Sequence, residues 1–179
     1  MPVDIDISIT YGRWDDVLPR AELVMRRVCD AVFFHKALSP VASQLMELSV
    51  VLADDSVIRQ LNATYRHQDK PTNVLSFPSQ EIIPGAPWQA DGTGEAMALG
   101  DVIFALETIE REAREQGKSL RDHFCHLLVH GILHLLGYDH IMDKEAEVME
   151  ALEVAILQTI GINNPYEDEQ AVSAVKSCL

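Results

Sequence analysis

Three histidines stand in the segment His130-Gly-Ile-Leu-His134-Leu-Leu-Gly137-Tyr-Asp-His140. Four residues apart on a helix, His130 and His134 share one face and can bind the same ion. Gly137 can adopt the left-handed conformation that stops a helix, after which the chain can turn and bring His140 to the same point. Three imidazoles leave one position of a tetrahedral metal open. An open position marks a catalytic zinc, since structural sites usually close all four with protein ligands. The expected cofactor is one zinc per chain, although the same donors suit nickel, cobalt or copper.

Two further histidines, His123 and His126, lie on nearly the same helical face. His126 and His134 are eight residues apart, about 12 Å along a helix, too far for both to bind one ion. The pair His126 and His130 also has the four-residue spacing, but no helix stop and third ligand follow it. A buried hydrogen-bonding role behind the ligands is expected for His126, and a packing or solvated role for His123. Cys125 points roughly 140 to 180° away from His130 and His134, at about 100° per residue, and reads as core. The spacing of the three histidines, with glycine three after the second, coincides with the metzincin protease pattern H-E-x-x-H-x-x-G-x-x-H. Position 131, where those proteases place their general base, is Gly, so a peptidase here would need a base from elsewhere.

The segment HGILHLLGYDH at 130–140 resembles that of the YbeY-type endoribonucleases of ribosome maturation. A second block, Leu61-Asn62-x-x-Tyr65-Arg66-x-x-Asp69-x-Pro71-Thr72-Asn73-Val74-Leu75-Ser76-Phe77-Pro78, is similar to that family's other signature, and Leu99-Gly100-Asp101 to its third. Asn73 stands where many members have Asp. The resemblance implies an α/β metalloprotein fold, one zinc per chain, and single-strand-specific endoribonuclease activity. It places that activity in the maturation of small-subunit (16S) ribosomal RNA, including its 3′ end, and in ribosome quality control. It also implies that Arg66 is functionally required. A guanidinium there could fork onto phosphate oxygens, if the fold brings the end of its helix to the metal. By its residue type alone Arg66 is more simply a surface charge. Asp139 could orient a ligand imidazole, act as a base or form a turn, and Tyr138 and Trp88 could stack on bases or simply pack.

The elements that must position these residues can be read from periodicity. Val3 to Ile9 alternates as a strand with one buried face; a helix over 14–37, ended by Ser39-Pro40, follows. Met46 to Ala53 is a strand, Asp54 caps a helix over Asp55 to Arg66, and Val74 to Phe77 is a short strand. Residues 78–94, rich in Pro and Gly, form a long loop that could act as a flap. A strand over Ala98 to Phe104 precedes three helices: Leu106 to Gln116, one opened by Ser119 and stopped at Gly137, and Asp143 to Ile160. The order predicts an α/β fold of the α+β kind, a small mixed four-stranded sheet covered by about five helices. One domain over 1–161 and a loosely ordered tail over 162–179, acidic at Glu167 to Glu169, are expected.

The 179 residues suit one domain, and 47% hydrophobic residues suffice for a core. No run is long and apolar enough to span a bilayer, and the N-terminus lacks the pattern of a signal peptide, so a cytoplasmic protein without membrane contact is expected. Cys29, Cys125 and Cys178 have no metal or redox spacing and are expected to be ordinary reduced thiols. A net charge of −14 argues against coating nucleic acid, and no DNA partner is expected. RNA contact must be local, with Arg66, Lys70, Arg121, Arg26 and Arg27 as candidate cations. Ribosomal RNA and the small ribosomal subunit or its proteins are the expected partners; oligomeric state is left open. Two alternatives stand beside the nuclease: a metal-dependent hydrolase of another substrate, peptides included, and a non-catalytic, zinc-stabilised ribosome-assembly factor.

Overall fold

The computed structural model describes residues 3–38, 45–86 and 95–167. Four strands, β1 (Val3–Ile9), β2 (Met46–Ala53), β3 (Val74–Pro78) and β4 (Met97–Ala105), form one sheet in the order β1-β2-β4-β3. β1, β2 and β4 run parallel and β3 runs antiparallel along β4, so the sheet is mixed, as expected. Among the described residues six α-helices accompany it: α1 (Arg13–Val17), α2 (Ala21–Phe33), α3 (Asp55–Arg66), α4 (Leu106–Glu115), α5 (Leu120–Leu135) and α6 (Asp143–Thr159). The sixth arises because the helix expected over 14–37 is two. Pro19 has no N–H to continue the first, pushes Leu18 out of helical geometry (φ −129°, ψ 66°), and is followed by Arg20 at φ 59°. The second ends at Phe33, before Ser39-Pro40, which lie outside the described residues. Residues 87–94 of the proline-rich loop, Trp88 among them, also lie outside the described residues, as does the acidic stretch beyond Glu167.

The sheet separates two apolar layers. On one face Met46, Leu48, Val50 and Leu52 pack with α2, α5 and α6 in the larger core; on the other, Leu75, Ile103 and Ala105 meet Ile58 of α3. α5 is the central helix, with ten of its 16 residues buried, so its apolar surface rather than its polar face sets its place. Ser119 caps it as expected, accepting a hydrogen bond from the Asp122 N–H at 3.0 Å. Gly131 is where α5 touches the sheet: a Cβ there would lie 2.7 Å from Val102 Cγ1 and 3.2 Å from Ser76 Oγ. Because β3 is an edge strand, α5 on one face and the end of α3 on the other both reach the same sheet edge. No helix of the described residues is long and apolar enough to cross a membrane.

Candidate metal centre

α5 presents His130 and His134 to that edge. Their Nε2 atoms lie 3.0 Å apart. The helix then stops in a paired turn, with the Gly137 N–H on the His134 carbonyl and the Tyr138 N–H on the Leu133 carbonyl, both at 3.0 Å. Gly137 has φ +86°, and a Cβ there would meet the Ile82 carbonyl at 1.8 Å, so the position admits only glycine on two counts. This turn carries His140 back over the helix end: its ring centroid is 5.5 Å from His130 and 4.9 Å from His134. One nitrogen of each ring lies within 4.8 Å of the others.

The donor set fits a metal. His130 Nδ1 is 2.6 Å from Glu153 Oε1, which fixes the proton on Nδ1 and leaves the Nε2 lone pair facing His134. Burial, then the neighbouring His130 and His140, lower the His134 imidazole to about 4, so at neutral pH it too offers a lone pair. Two ring nitrogens facing each other at 3.0 Å can share one cation once neither carries a proton there. Zinc–nitrogen bonds of about 2.0–2.1 Å at a tetrahedral angle would set the two nitrogens about 3.3 Å apart, near the observed spacing. His140 is the least constrained of the three, with 57% of its side chain exposed.

The histidines line a cavity of about 620 Å³ together with Arg66, Thr72, Asn73, Ser76, Tyr138 and Asp139. Arg66 comes from the far side of the sheet. Tyr65 sets the end of α3 against β3 through an edge-to-face contact with Phe77, centroids 5.2 Å apart. Buried Asn62 folds the following loop back, its amide donating to the Lys70 carbonyl at 2.8 Å. Among the described residues Arg66 has no hydrogen-bond or ion-pair partner, so its guanidinium is free to take an anion. Lys70, Arg121, Arg26 and Arg27 do not line this cavity. Asp139 lines the same cavity, accepts from the His140 N–H at 2.7 Å and lies 4.0 Å from His140 Nδ1.

His126 has the expected hydrogen-bonding role, partly buried, its Nε2 lying 3.1 Å from Glu153 Oε2. His123 departs from a bland role, since it is 3% exposed and its Nε2 lies 2.8 Å from Glu112 Oε2. Burial by itself would raise the Glu153 carboxyl, but hydrogen bonds and charge from His126 and His130 outweigh it and lower the group to about 2. Glu153 and Glu112 were not anticipated from the sequence. Glu153 did leave a trace: it is an acid among Met149, Leu152, Ile156 and Leu157 on the buried face of α6, where a carboxylate needs partners. Cys29 and Cys125 are buried, and burial pushes both thiols up to about 12, which suits inert core groups.

The family profile described as Endoribonuclease YbeY matches residues 15–161. This chain belongs to the YbeY endoribonuclease family. Proteins named Endoribonuclease YbeY from Sinorhizobium fredii (strain NGR234) and Paramagnetospirillum magneticum are each 44% identical to it. The first alignment covers 97% of this chain and 98% of that protein, the second 93% and 98%. The solution structure of TM1509 from Thermotoga maritima has the same fold, with a TM-score of 0.56 at 23% identity over 94% of this chain and 93% of that one. The YbeY match spans α2 to α6 and so includes all three histidines and Arg66.

Proposed function

We propose that this chain is a zinc-dependent, single-strand-specific endoribonuclease that matures small-subunit ribosomal RNA in the cytoplasm and serves ribosome quality control. The observation that carries the reading is one cavity holding three convergent imidazole nitrogens and an arginine with no partner among the described residues, in a chain of an endoribonuclease family. His130, His134 and His140 would hold one zinc, which when bound supplies Lewis acidity and a water of lowered pKa. Arg66 forks onto the non-bridging oxygens of the scissile phosphate and stabilises the charge that develops there. Tyr138, half-buried beside the histidines, offers a ring face to a neighbouring base. With a net charge of −14, the ribosome or its basic proteins supply affinity that the chain itself withholds from free RNA.

The peptidase alternative loses ground at Gly131, which lacks the general base, and where a Cβ would already lie 2.7 Å from Val102 Cγ1 and 3.2 Å from Ser76 Oγ. The test is cleavage of single-stranded ribosomal RNA by metal-quantified protein, comparing wild type with His134→Ala and Arg66→Ala at matched folding. Cutting that tracks stoichiometric zinc and disappears in both variants supports the nuclease. Equal cutting by all three, or by none, favours an assembly factor or another hydrolase.

A further inference from the structure

Glu153 has no solvent exposure, yet it bears a carboxylate in the middle of α6. A buried carboxylate is tolerated only if its oxygens are hydrogen-bonded. Oε1 is 2.6 Å from His130 Nδ1, and Oε2 is 3.1 Å from His126 Nε2 and also accepts the Tyr166 hydroxyl. His126 Nε2 and Tyr166 Oη are themselves 3.1 Å apart, and the two rings meet edge-on with centroids 5.3 Å apart. Tyr166 lies past the end of α6, in a segment pinned by the Tyr166 N–H on Asn164 Oδ1 at 2.9 Å and by Lys118 Nζ on the Pro165 carbonyl at 2.6 Å.

From this arrangement we infer that Glu153 is a positioning residue for the metal, and that the segment ending at Tyr166 is a working part of the metal centre. The inference rests on His130 being a ligand. A carboxylate on Nδ1 holds the imidazole in the tautomer that directs Nε2 outward, fixes the ring plane and makes Nε2 a better donor. That holds only if the carboxylate is itself fixed. His126 fixes it from within α5, and Tyr166 from the chain beyond α6, so a segment some distance along the sequence sets the angle at which one ligand meets the ion. Neither remaining ligand has a buried carboxylate behind it: His140 has a 4.0 Å approach to Asp139, and the His134 ring is supported by a hydrogen bond with the Tyr138 backbone.

The test is zinc affinity of the full chain, measured by competition with a chromophoric chelator, with the cobalt(II) visible spectrum as a second readout. The variants are His134→Ala, Glu153→Gln, Tyr166→Phe and, as a packing control on α6, Ile156→Val. Wild type is expected to bind one ion tightly, His134→Ala to lose it, Glu153→Gln to weaken by about 10- to 100-fold, and Tyr166→Phe to weaken by less. Ile156→Val is expected to bind as wild type does. The His130 Nδ1 proton, followed by NMR in metal-free protein, is expected to shift in Glu153→Gln and Tyr166→Phe and not in Ile156→Val. If Glu153→Gln does not fold, Tyr166→Phe still decides the matter. Equal binding by wild type and His134→Ala overturns the ligand assignment. Loss in His134→Ala with wild-type affinity, spectrum and Nδ1 proton in Tyr166→Phe, and in Glu153→Gln where that variant folds, overturns the positioning role alone.

Discussion

Asn73 Nδ2 donates to Glu112 Oε2 at 2.9 Å, and the same oxygen faces His123 Nε2 at 2.8 Å. The start of β3 is thereby tied to α4 and α5 through one carboxylate held between two donors. The Asn73 carbonyl oxygen of the side chain in turn accepts from the Val74 N–H at 2.7 Å. In this chain an amide suits the position, because an aspartate would set a second carboxylate against Glu112.

Asn73→Asp is therefore expected to cost about 1–3 kcal/mol, the penalty for leaving a partly buried acceptor opposed instead of bonded. Urea unfolding at neutral pH measures it. A loss much below that range would show that Glu112 turns to another donor.

Glu112 also gives a pH dependence with a definite sign. Burial alone would raise its carboxyl, but hydrogen bonds from His123 and Asn73, with the charges of His123 and Arg111, bring it below its usual 4.5. A depressed folded value means that the stabilisation is present above the unfolded value and is lost as pH falls through the folded one. The stability gap between wild type and Glu112→Gln is expected to be full near pH 7 and to close as the solution is acidified below about 4.5. Chemical denaturation at several pH values checks this, and a gap of constant size contradicts it.

Gly131→Glu recreates the protease-like sequence but not the site. With Val102 Cγ1 2.7 Å from the position of the new Cβ, the side chain overpacks the contact between α5 and the sheet and buries an unpaired carboxylate. A loss of stability above about 3 kcal/mol and no peptidase activity are expected. A stable variant that hydrolyses a casein substrate would reverse this reading.

Arg66 separates function from folding. Because it has no partner among the described residues, Arg66→Lys is expected to leave stability within about 0.5 kcal/mol and zinc content unchanged. Turnover is expected to fall even so, because an ammonium cannot reproduce the planar fork. Steady-state cleavage beside a thermal melt reads both, and full activity in the lysine variant would mean that only the charge matters.

Chelation is expected to abolish cleavage and leave far-UV circular dichroism intact, since α5 is held by Phe124, Leu128, Ile132 and other fully buried groups and not by an ion. Restoring zinc at about 100 times its Kd is expected to add about 2.7 kcal/mol. Protection from hydrogen exchange is expected to rise most around His140. Unfolding on chelation would point to a structural metal.

The sequence by itself determined whatever depends on neighbours along the chain. All four strands of the described residues were read from the sequence, β1 by its alternation, because a strand with one buried face repeats every two residues. Asp54 and Ser119 announced their helices, because a cap bonds an N–H three residues on. The spacing of His130 and His134 and the stop at Gly137 follow from helix geometry, so the arrangement of the three histidines was legible before any tertiary contact. Pro19, visible in the sequence, was outweighed by the apolar period running across it, and the first helix was read as one where there are two. Only the tertiary structure decided which distant groups meet. The antiparallel pairing of β3 at the sheet edge brings Arg66 around to the histidines, and the packing of α6 on α5 sets Glu153 behind His130. Those contacts span 23 residues or more and are fixed by burial, which is nondirectional along the chain and so leaves no spacing to be read.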